Sequence, residues 1–210
     1  MTSRRDAQAA LTRDDIVRAA GRLLLRHGYV ATSIGAIAAE AQVAVQTIYN
    51  SVGSKAELVA AVLERAATAP GSAESVATAM RERIASARSP AEAVAAVADG
   101  LALVNERTAG ILHMVGEAAV IDVDVAAFAQ RRDEGHLGVC VEIAGLVRAH
   151  GARQPGRGPA ALPELSDLDA GALIFTASHH RPYRTFVHDI GWSTAGYRDW
   201  LERVLGAALT

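Results

Sequence analysis

Two places in the chain bring together residue types that most often carry catalysis or bind metals, chiefly histidine and cysteine. His136 and Cys140 are four residues apart, a spacing that puts both on one helical face and permits a metal pair. Zinc sites usually need three or four ligands, and no nucleophile motif accompanies either place. The second place contains His179, His180, His188 and Asp189. We expect no metal, no cofactor and no catalytic centre at either place, and interpret these residues as ordinary polar groups of helices.

A different chemistry is indicated around Lys55, the only lysine in the chain. Ser54 and Glu57 have the spacing of a capping box, so Lys55 falls in the first turn of a helix. There its ammonium and the free backbone N–H groups face outward, toward an anion such as a phosphate.

Residues 32–51 have the spacing of a helix-turn-helix, two short helices joined by a tight turn. In the first turn of the second helix, Gln46 can pair bidentately with adenine, and the methyl of Thr47 or Val45 can meet a thymine methyl. Asn50 is a further candidate for base contacts, and nearby hydroxyl groups can hold phosphates. The candidate DNA-binding residues are Thr32, Ser33, Val45, Gln46, Thr47, Tyr49, Asn50 and Lys55.

The elements that position these residues are predicted to be helices. The chain has 210 residues, of which 50% are hydrophobic but only nine are aromatic, and small aliphatic side chains suit helical cores. Apolar residues recur at three- and four-residue spacing, and no strand is predicted, so the fold class is all-α. Helices are expected from Thr12 to Gly28, over two short segments that begin near Thr32 and at about Val45, and over a long segment from Ser54 up to residue 69. Further helices are expected over 72–87, 90–108, 109–120, 125–150, 166–180 and from 193, with a loop at 151–163.

The charge distribution, the cysteine content and the hydropathy restrict the class of protein that this chain can be. The net charge is −2, yet residues 1–65 carry eight basic against six acidic groups, so only the N-terminus is positive. A single cysteine excludes an internal disulfide, and no apolar run is long enough to span a bilayer. We therefore expect a cytoplasmic protein with no membrane contact.

The order and spacing of five short motifs resemble the DNA-binding domain of TetR-type (tetracycline-repressor-like) transcriptional regulators over residues 12 to about 65. The last part of the chain agrees more loosely through Tyr183-Arg184, Gly191-Trp192-Ser193 and 197–201. The five motifs are Gly28-Tyr29-Val30-Ala31-Thr32-Ser33-Ile34, Ile37-Ala38, Ala41-Gln42-Val43, Thr47-Ile48-Tyr49 and Ser54-Lys55-Ala56-Glu57-Leu58.

The resemblance implies a repressor that is a homodimer and leaves a palindromic double-stranded DNA operator when a small apolar effector binds. It implies a flexible arm over 1–11, a three-helix helix-turn-helix domain over 12–53, a connecting helix over 54–69, and a helical bundle for ligand binding and dimerisation over 70–210. The expected ligand-binding residues are Met80, Leu101, Val104, His113, Met114, Phe128, Phe175 and His179. Apolar residues form one stripe on the last helix, and a monomer of this size could cover that stripe only partly. The dimer residues expected on this stripe are Trp200, Leu201, Val204 and Leu205.

Four positions depart from the family pattern. Gln42 stands where the turn usually has glycine, and Ala44 replaces a serine that often caps the second helix. Gly35 and Ala36 stand where polar, DNA-facing groups are common. The alternative is therefore a helical small-molecule carrier or enzyme whose N-terminal domain has lost DNA binding.

Overall fold

The computed structural model describes residues 4–68, 74–151 and 165–209. These residues form ten α-helices and a π-helical turn at Thr185–Asp189, and none of them lies in a strand. Thr68 and Ser75 form one isolated antiparallel bridge. The predicted all-α fold is confirmed. The helices are α1 (Arg4–Ala31), α2 (Ile34–Glu40), α3 (Val45–Ser51), α4 (Lys55–Ala66), α5 (Val76–Ser86), α6 (Pro90–Ala118), α7 (Val123–Gly151), α8 (Asp167–Ser178), α9 (His180–Arg184) and α10 (Thr194–Leu209).

The chain divides into two compact units, and the first joins Met1–Ala66 with Gly110–Gln130. Helices α1 to α4 pack around Ile16, Ile37 and Ile48, all fully buried. The end of α6 and the start of α7 complete this core through buried residues such as Leu112. The unit therefore combines two separate stretches of the chain, whereas the sequence predicted a division into consecutive segments.

The N-terminus differs from its prediction. Helix α1 begins at Arg4, so the predicted flexible arm is instead helical over 4–11, while residues 1–3 lie outside the described residues. Thr12 does not cap a helix, because its hydroxyl donates to the Gln8 carbonyl at 3.0 Å inside α1. The predicted break at Gly28 is confirmed, since this glycine adopts a φ of 78°.

The second unit contains Ala67–Ala109 and Arg131–Thr210. Its core includes Ile174 of α8 and Tyr197 and Leu201 of α10, all fully buried. Helices α8 and α10 pack against each other within this unit. As the sequence predicted, Ser166 begins α8 by accepting a hydrogen bond from the Asp169 N–H at 3.1 Å.

Two predictions for the later helices had other outcomes. Helix α6 is continuous through residues 90–118, although the sequence predicted two helices that meet near Thr108. Thr108 is accommodated there because its hydroxyl donates to the Val104 carbonyl, one turn earlier, at 2.6 Å. The predicted loop at 151–163 lies outside the described residues except for Gly151, which ends α7.

Candidate functional site

The turn between α2 and α3 is held by backbone contacts and contains both local defects that the sequence predicted. Ser33 caps α2, because its Oγ accepts a hydrogen bond from the Ala36 N–H at 3.1 Å. Gln42 has a φ of 55°, a conformation in which a side chain is strained. Ala44 begins α3 without a side-chain cap. The motif is thus complete in geometry and weakened at these two positions.

The outer face of α3 presents polar groups to solvent. Ile48 is fully buried and anchors the helix, while Gln46 and Asn50 are exposed on the opposite side. The Gln46 Nε2 donates to the Asn50 Oδ1 at 3.0 Å, so each amide orients the other before any partner is present. Tyr49 is 50% exposed, and the Thr47 side chain is half-buried. This face can enter a groove and present amides to base edges.

Thr32 and Ser33 have different roles despite their adjacent positions. Thr32 is only 2% exposed, and its hydroxyl lies 2.8 Å from the Gly28 carbonyl and 3.2 Å from the Leu23 carbonyl. It therefore holds the end of α1. Ser33 is exposed, and its hydroxyl proton is available to a phosphate while its oxygen caps α2.

Lys55 begins α4, as the sequence predicted. Ser54 and Glu57 form the capping box, with the Ser54 N–H 2.7 Å from the Glu57 carboxylate and the Glu57 N–H 3.2 Å from the Ser54 hydroxyl. The hydrogen bonds that the Glu57 carboxylate accepts from Ser54, above all from its backbone N–H, hold the pKa of Glu57 below its usual value. The Lys55 ammonium donates to the Tyr29 carbonyl at 2.5 Å and lies 3.9 Å from the centre of the Tyr29 ring. Partial burial lowers the pKa of Lys55, an effect that Asp122 opposes.

Asp122 is a residue of this arrangement that the sequence analysis missed. Its Oδ2 accepts a hydrogen bond of 2.6 Å from the Tyr29 hydroxyl, and its Oδ1 caps α7 through the N–H groups of Asp124 and Val125. Tyr29 and Asp122 are 93 residues apart, so no local sequence signal joins them. Within this unit, Asp122 therefore holds the Tyr29 side chain in place, and the Lys55 ammonium lies over the ring of Tyr29.

Several other cations of this unit are already paired with carboxylates. Arg22 donates to Glu40 at 2.9 and 3.1 Å, and Arg65 pairs with Asp14. Arg18 also pairs with Asp14, at 3.4 Å. Local pairing of this kind reduces the positive potential that the unit offers to a polyanion.

The second unit contains a cavity of about 280 Å³ between its helices. Three of the predicted ligand-binding residues line it, Met80, Leu101 and Val104. Most of the wall is apolar, which suits a small organic molecule. The other lining residues are Val76, Ala77, Gly100, Asn105, Thr108, Arg132, Gly135, His136, Val139, Cys140, Ile143 and Ser178.

The other five predicted ligand-binding residues lie elsewhere. His113 is 44% exposed in side chain and faces Glu117 at 3.5 Å, while Met114 and Phe128 belong to the hydrophobic core of the first unit. Phe175 and His179 do not line the cavity but lie close to it, since the Phe175 ring is 5.1 Å from that of His136. The His179 ring is 5.8 Å from the Phe175 ring.

Arg132 and Asn105 are cavity residues that the sequence analysis missed. A signal for Arg132 existed, because Arg132, His136 and Cys140 are four residues apart and share one face of α7. Burial lowers the pKa of His136 to about 4, with the nearby Arg132 charge adding to the effect, and raises the pKa of Cys140 to about 12. At neutral pH both groups are uncharged. Within the described residues, no three side chains are grouped as a metal site requires.

The predicted dimer residues divide into two kinds. Leu201 and Leu205 are 0% exposed and belong to the core of a single chain. Trp200 is half-buried, with its ring 4.7 Å from that of Phe186. Val204 is also half-buried. Only Trp200 and Val204 therefore retain surface that a second chain could cover.

The capped helices, the strained turn and the exposed first turn of α3 define a helix-turn-helix protein with an all-α second unit. Residues 16–62 match the family model for bacterial regulatory proteins of the tetR family. Residues 16–62 are therefore similar to the DNA-binding part of transcriptional regulators of this family. The resemblance seen in the sequence is confirmed. No curated protein sequence matches the chain significantly.

Solved structures extend the likeness to the whole fold. NalD from Pseudomonas aeruginosa, the secondary repressor of the MexAB-OprM multidrug efflux pump, superimposes with a TM-score of 0.69 at 17% identity, over 96% of this chain and 98% of NalD. The fatty acid degradation regulator FadR from Bacillus halodurans gives a TM-score of 0.66 at 16% identity, over 92% and 93%. The chain thus shares its fold with these two regulators. Across the described helices, none is long and apolar enough to cross a bilayer.

Proposed function

We propose that the chain is a transcriptional repressor that binds a near-palindromic operator as a homodimer and leaves it when a small, largely apolar effector occupies the cavity. The observation that carries the proposal is the α2–turn–α3 motif, in which Gln46 and Asn50 are exposed on a helix anchored by the buried Ile48. The names of NalD, a repressor, and of FadR, a regulator, agree with this function.

The motif supports a division of labour on DNA. Gln46 reads an adenine in the major groove, because its hydrogen bond to Asn50 is replaced by hydrogen bonds to the base. Asn50 then reads a neighbouring base. Ser33, Tyr49 and Lys55 hold phosphates and fix the register of α3 without reading sequence. Because several other cations of the unit are paired with carboxylates, affinity depends on few phosphate contacts and is modest.

The proposed homodimer rests on α8 and α10. Leu168 on α8 is 60% exposed, and Trp200 and Val204 on α10 are half-buried, so apolar surface remains for a second copy. Two such helix pairs about a two-fold axis form a four-helix interface, and the same symmetry is expected in the operator.

Selection from a pool of randomised duplexes tests the DNA-binding part. The wild-type chain should enrich an inverted repeat, and Gln46→Ala should relax the preference for one adenine in each half-site by about 1 to 3 kcal/mol. Gln130→Ala, an exposed change outside the motif, is the matched control and should leave the enriched sequence unchanged. No enrichment, together with no salt-sensitive retention on heparin, would favour the carrier or enzyme hypothesis.

Sedimentation equilibrium tests the dimer. At micromolar concentration the wild-type chain should give about twice its 21.9 kDa. Val204→Glu should yield folded monomers, since its side chain is not part of the buried core. Substitution of Leu201 or Leu205 is not a clean test, because both leucines are buried within one chain. A wild-type monomer would refute the dimer, and a dimeric Val204→Glu chain would place the interface elsewhere.

A further inference from the structure

The charge on the cavity wall has a single sign. Arg132 is the only charged residue among the lining residues, and no aspartate or glutamate is among them. The Arg132 side chain is 23% exposed, and its Nη1 donates to Asp133 at 2.6 Å. Burial lowers the pKa of Arg132, an effect that Asp133 opposes. The bond to Asp133 uses one of the five guanidinium N–H donors, so others can donate to an anionic ligand at this mostly apolar wall.

His136 adds an uncommitted polar atom on the same face of α7. Its Nδ1 is buried and has no hydrogen-bond partner among the described residues. Buried polar atoms are normally satisfied, so an unsatisfied one in a residue that lines the cavity is a candidate to meet a ligand. In the tautomer that carries the proton on Nδ1, the ring donates to an acceptor placed beside Arg132.

The amide and hydroxyl groups of the wall already have partners, and among them the Ser178 hydroxyl donates to the Phe175 carbonyl at 3.4 Å. The Asn105 Nδ2 donates to the Ser178 carbonyl at 2.7 Å and to the Tyr197 hydroxyl at 3.2 Å. The Thr108 hydroxyl donates to the Val104 carbonyl. The donors that remain for a ligand are therefore concentrated at Arg132 and His136.

We infer that the cavity binds a small amphipathic monoanion, an apolar chain or ring with one terminal carboxylate, which accepts hydrogen bonds from the Arg132 guanidinium and the His136 Nδ1–H. The apolar part lies against Met80, Leu101 and Ile143. A volume of about 280 Å³ is near the lower end for ligand sites and fits a molecule of about ten non-hydrogen atoms. This inference rests on the proposed function, for which it names the chemical class of the effector.

Isothermal titration calorimetry on the full chain without DNA tests the inference with three eight-carbon probes: octanoate, 1-octanol and octylamine. They share an alkyl chain and differ in the charge of the head group. The wild-type chain should bind octanoate at least tenfold more tightly than either other probe. Arg132→Gln should weaken octanoate binding by about ten- to a hundredfold, the range expected for a charge-assisted hydrogen bond.

Two controls separate loss of charge from loss of structure. In Arg132→Gln, the affinity for 1-octanol should stay within about threefold of the wild-type value, which shows that the cavity is intact. Arg131→Gln removes an exposed charge from the neighbouring position, which does not line the cavity, and should leave all three affinities unchanged.

Three results would overturn the inference: equal affinity for octanoate and 1-octanol, a preference for octylamine, or no binding of octanoate. A chain that enriches an operator but fails with octanoate keeps its DNA-binding function and loses this effector class. A chain that binds octanoate through Arg132 but enriches no duplex keeps the ligand site and loses the proposed repressor function.

Discussion

Helix α3, the proposed recognition helix, and the cavity of the second unit place their polar groups in opposite environments, the one in solvent and the other in the protein interior. On α3, Gln46 and Asn50 are exposed and orient each other over a single helical turn. At the cavity, Asn105, Arg132 and Ser178 come from three helices and meet only after those helices pack. A surface that reads DNA can be built from local rules, whereas an internal site depends on long-range packing and must hold polar groups away from water.

The largest effect is expected from a variant that disrupts helix packing in the second unit, which contains the cavity. A Cβ on Gly171 of α8 would lie 2.7 Å from the Val141 Cα and 2.8 Å from the Val141 nitrogen, so α7 and α8 would have to separate. Gly171→Ala should lower the free energy of unfolding by about 2 kcal/mol or more, measured by urea denaturation.

Gly138→Ala is the matched control on α7. Among the described residues, no atom beyond the neighbouring backbone of α7 lies within 4 Å of a Cβ at this position. Alanine should therefore raise the free energy of unfolding by about 0.5 to 1 kcal/mol through its higher helix propensity. If both variants were equally stable, the close approach of α7 and α8 would not be a feature of the folded chain.

The same contrast explains how much of the molecule could be predicted. The bounds of α2, α3 and α4 follow from caps and apolar spacing within a few residues, as Ser33 and the Ser54–Glu57 box confirm. The bond from Tyr29 to Asp122 joins residues 93 positions apart, which no local pattern specifies. Met80, Leu101 and Val104 were predicted because the family resemblance places those helices around a pocket.

The positions of His113, Leu201 and Leu205 differ from what the sequence predicted, and the differences have physical causes. His113 falls on the same helix as Leu101 and Val104, but the end of α6 packs in the first unit and turns it to solvent. Leu201 and Leu205 form the apolar stripe predicted on α10, yet α8 and the rest of the unit cover them. A sequence shows which face is apolar and leaves open whether the same chain or a second one buries it.

The next largest effect, on stability at acidic pH, should be confined to the second unit. The pKa of His136 lies near 4 in the folded chain and near 6.5 when unfolded, so on acidification the unfolded chain binds this proton first. The stability contributed by neutral His136 is complete above about pH 6.5 and is lost as the pH falls toward 4, by at most about 1.4 kcal/mol per pH unit.

Urea midpoints at pH 7.5 and pH 5 measure this loss. His136→Gln should show a smaller difference between the two midpoints than the wild-type chain, because glutamine does not titrate. His27→Gln removes an exposed histidine of α1 and serves as the control. Equal acid sensitivity of the wild-type and His136→Gln chains would mean that His136 is not held neutral by burial.

The defects of the recognition motif, in contrast, can be repaired by single surface changes. Ala44 begins α3 without a side-chain cap, so Ala44→Ser should supply an acceptor for the free N–H groups and raise the free energy of unfolding by about 1 kcal/mol. Thermal unfolding followed by circular dichroism measures the gain. An unchanged or lower midpoint would show that α3 does not begin at Val45.

The smallest effect is expected at the turn. Gln42 has a φ of 55°, and Gln42→Gly should remove the strain while adding entropy to the unfolded chain, for a net gain of about 0.5 kcal/mol. Gly53, which already has a φ of 111°, gives the reverse comparison, since Gly53→Ala should destabilise. A destabilised Gln42→Gly variant would indicate that the turn is not strained.

The central claim is that the N-terminal unit binds DNA with Lys55 on a phosphate. It is tested most directly by the salt dependence of binding to the enriched duplex, followed by fluorescence anisotropy. The affinity of the wild-type chain should fall steeply with salt, and Lys55→Gln should reduce the slope of log K against log salt by about one unit per protomer for every sequence alike. Arg65→Gln, at the other end of α4, should leave the slope unchanged. A wild-type chain without salt dependence, or a Lys55→Gln chain with the wild-type slope, would contradict the account.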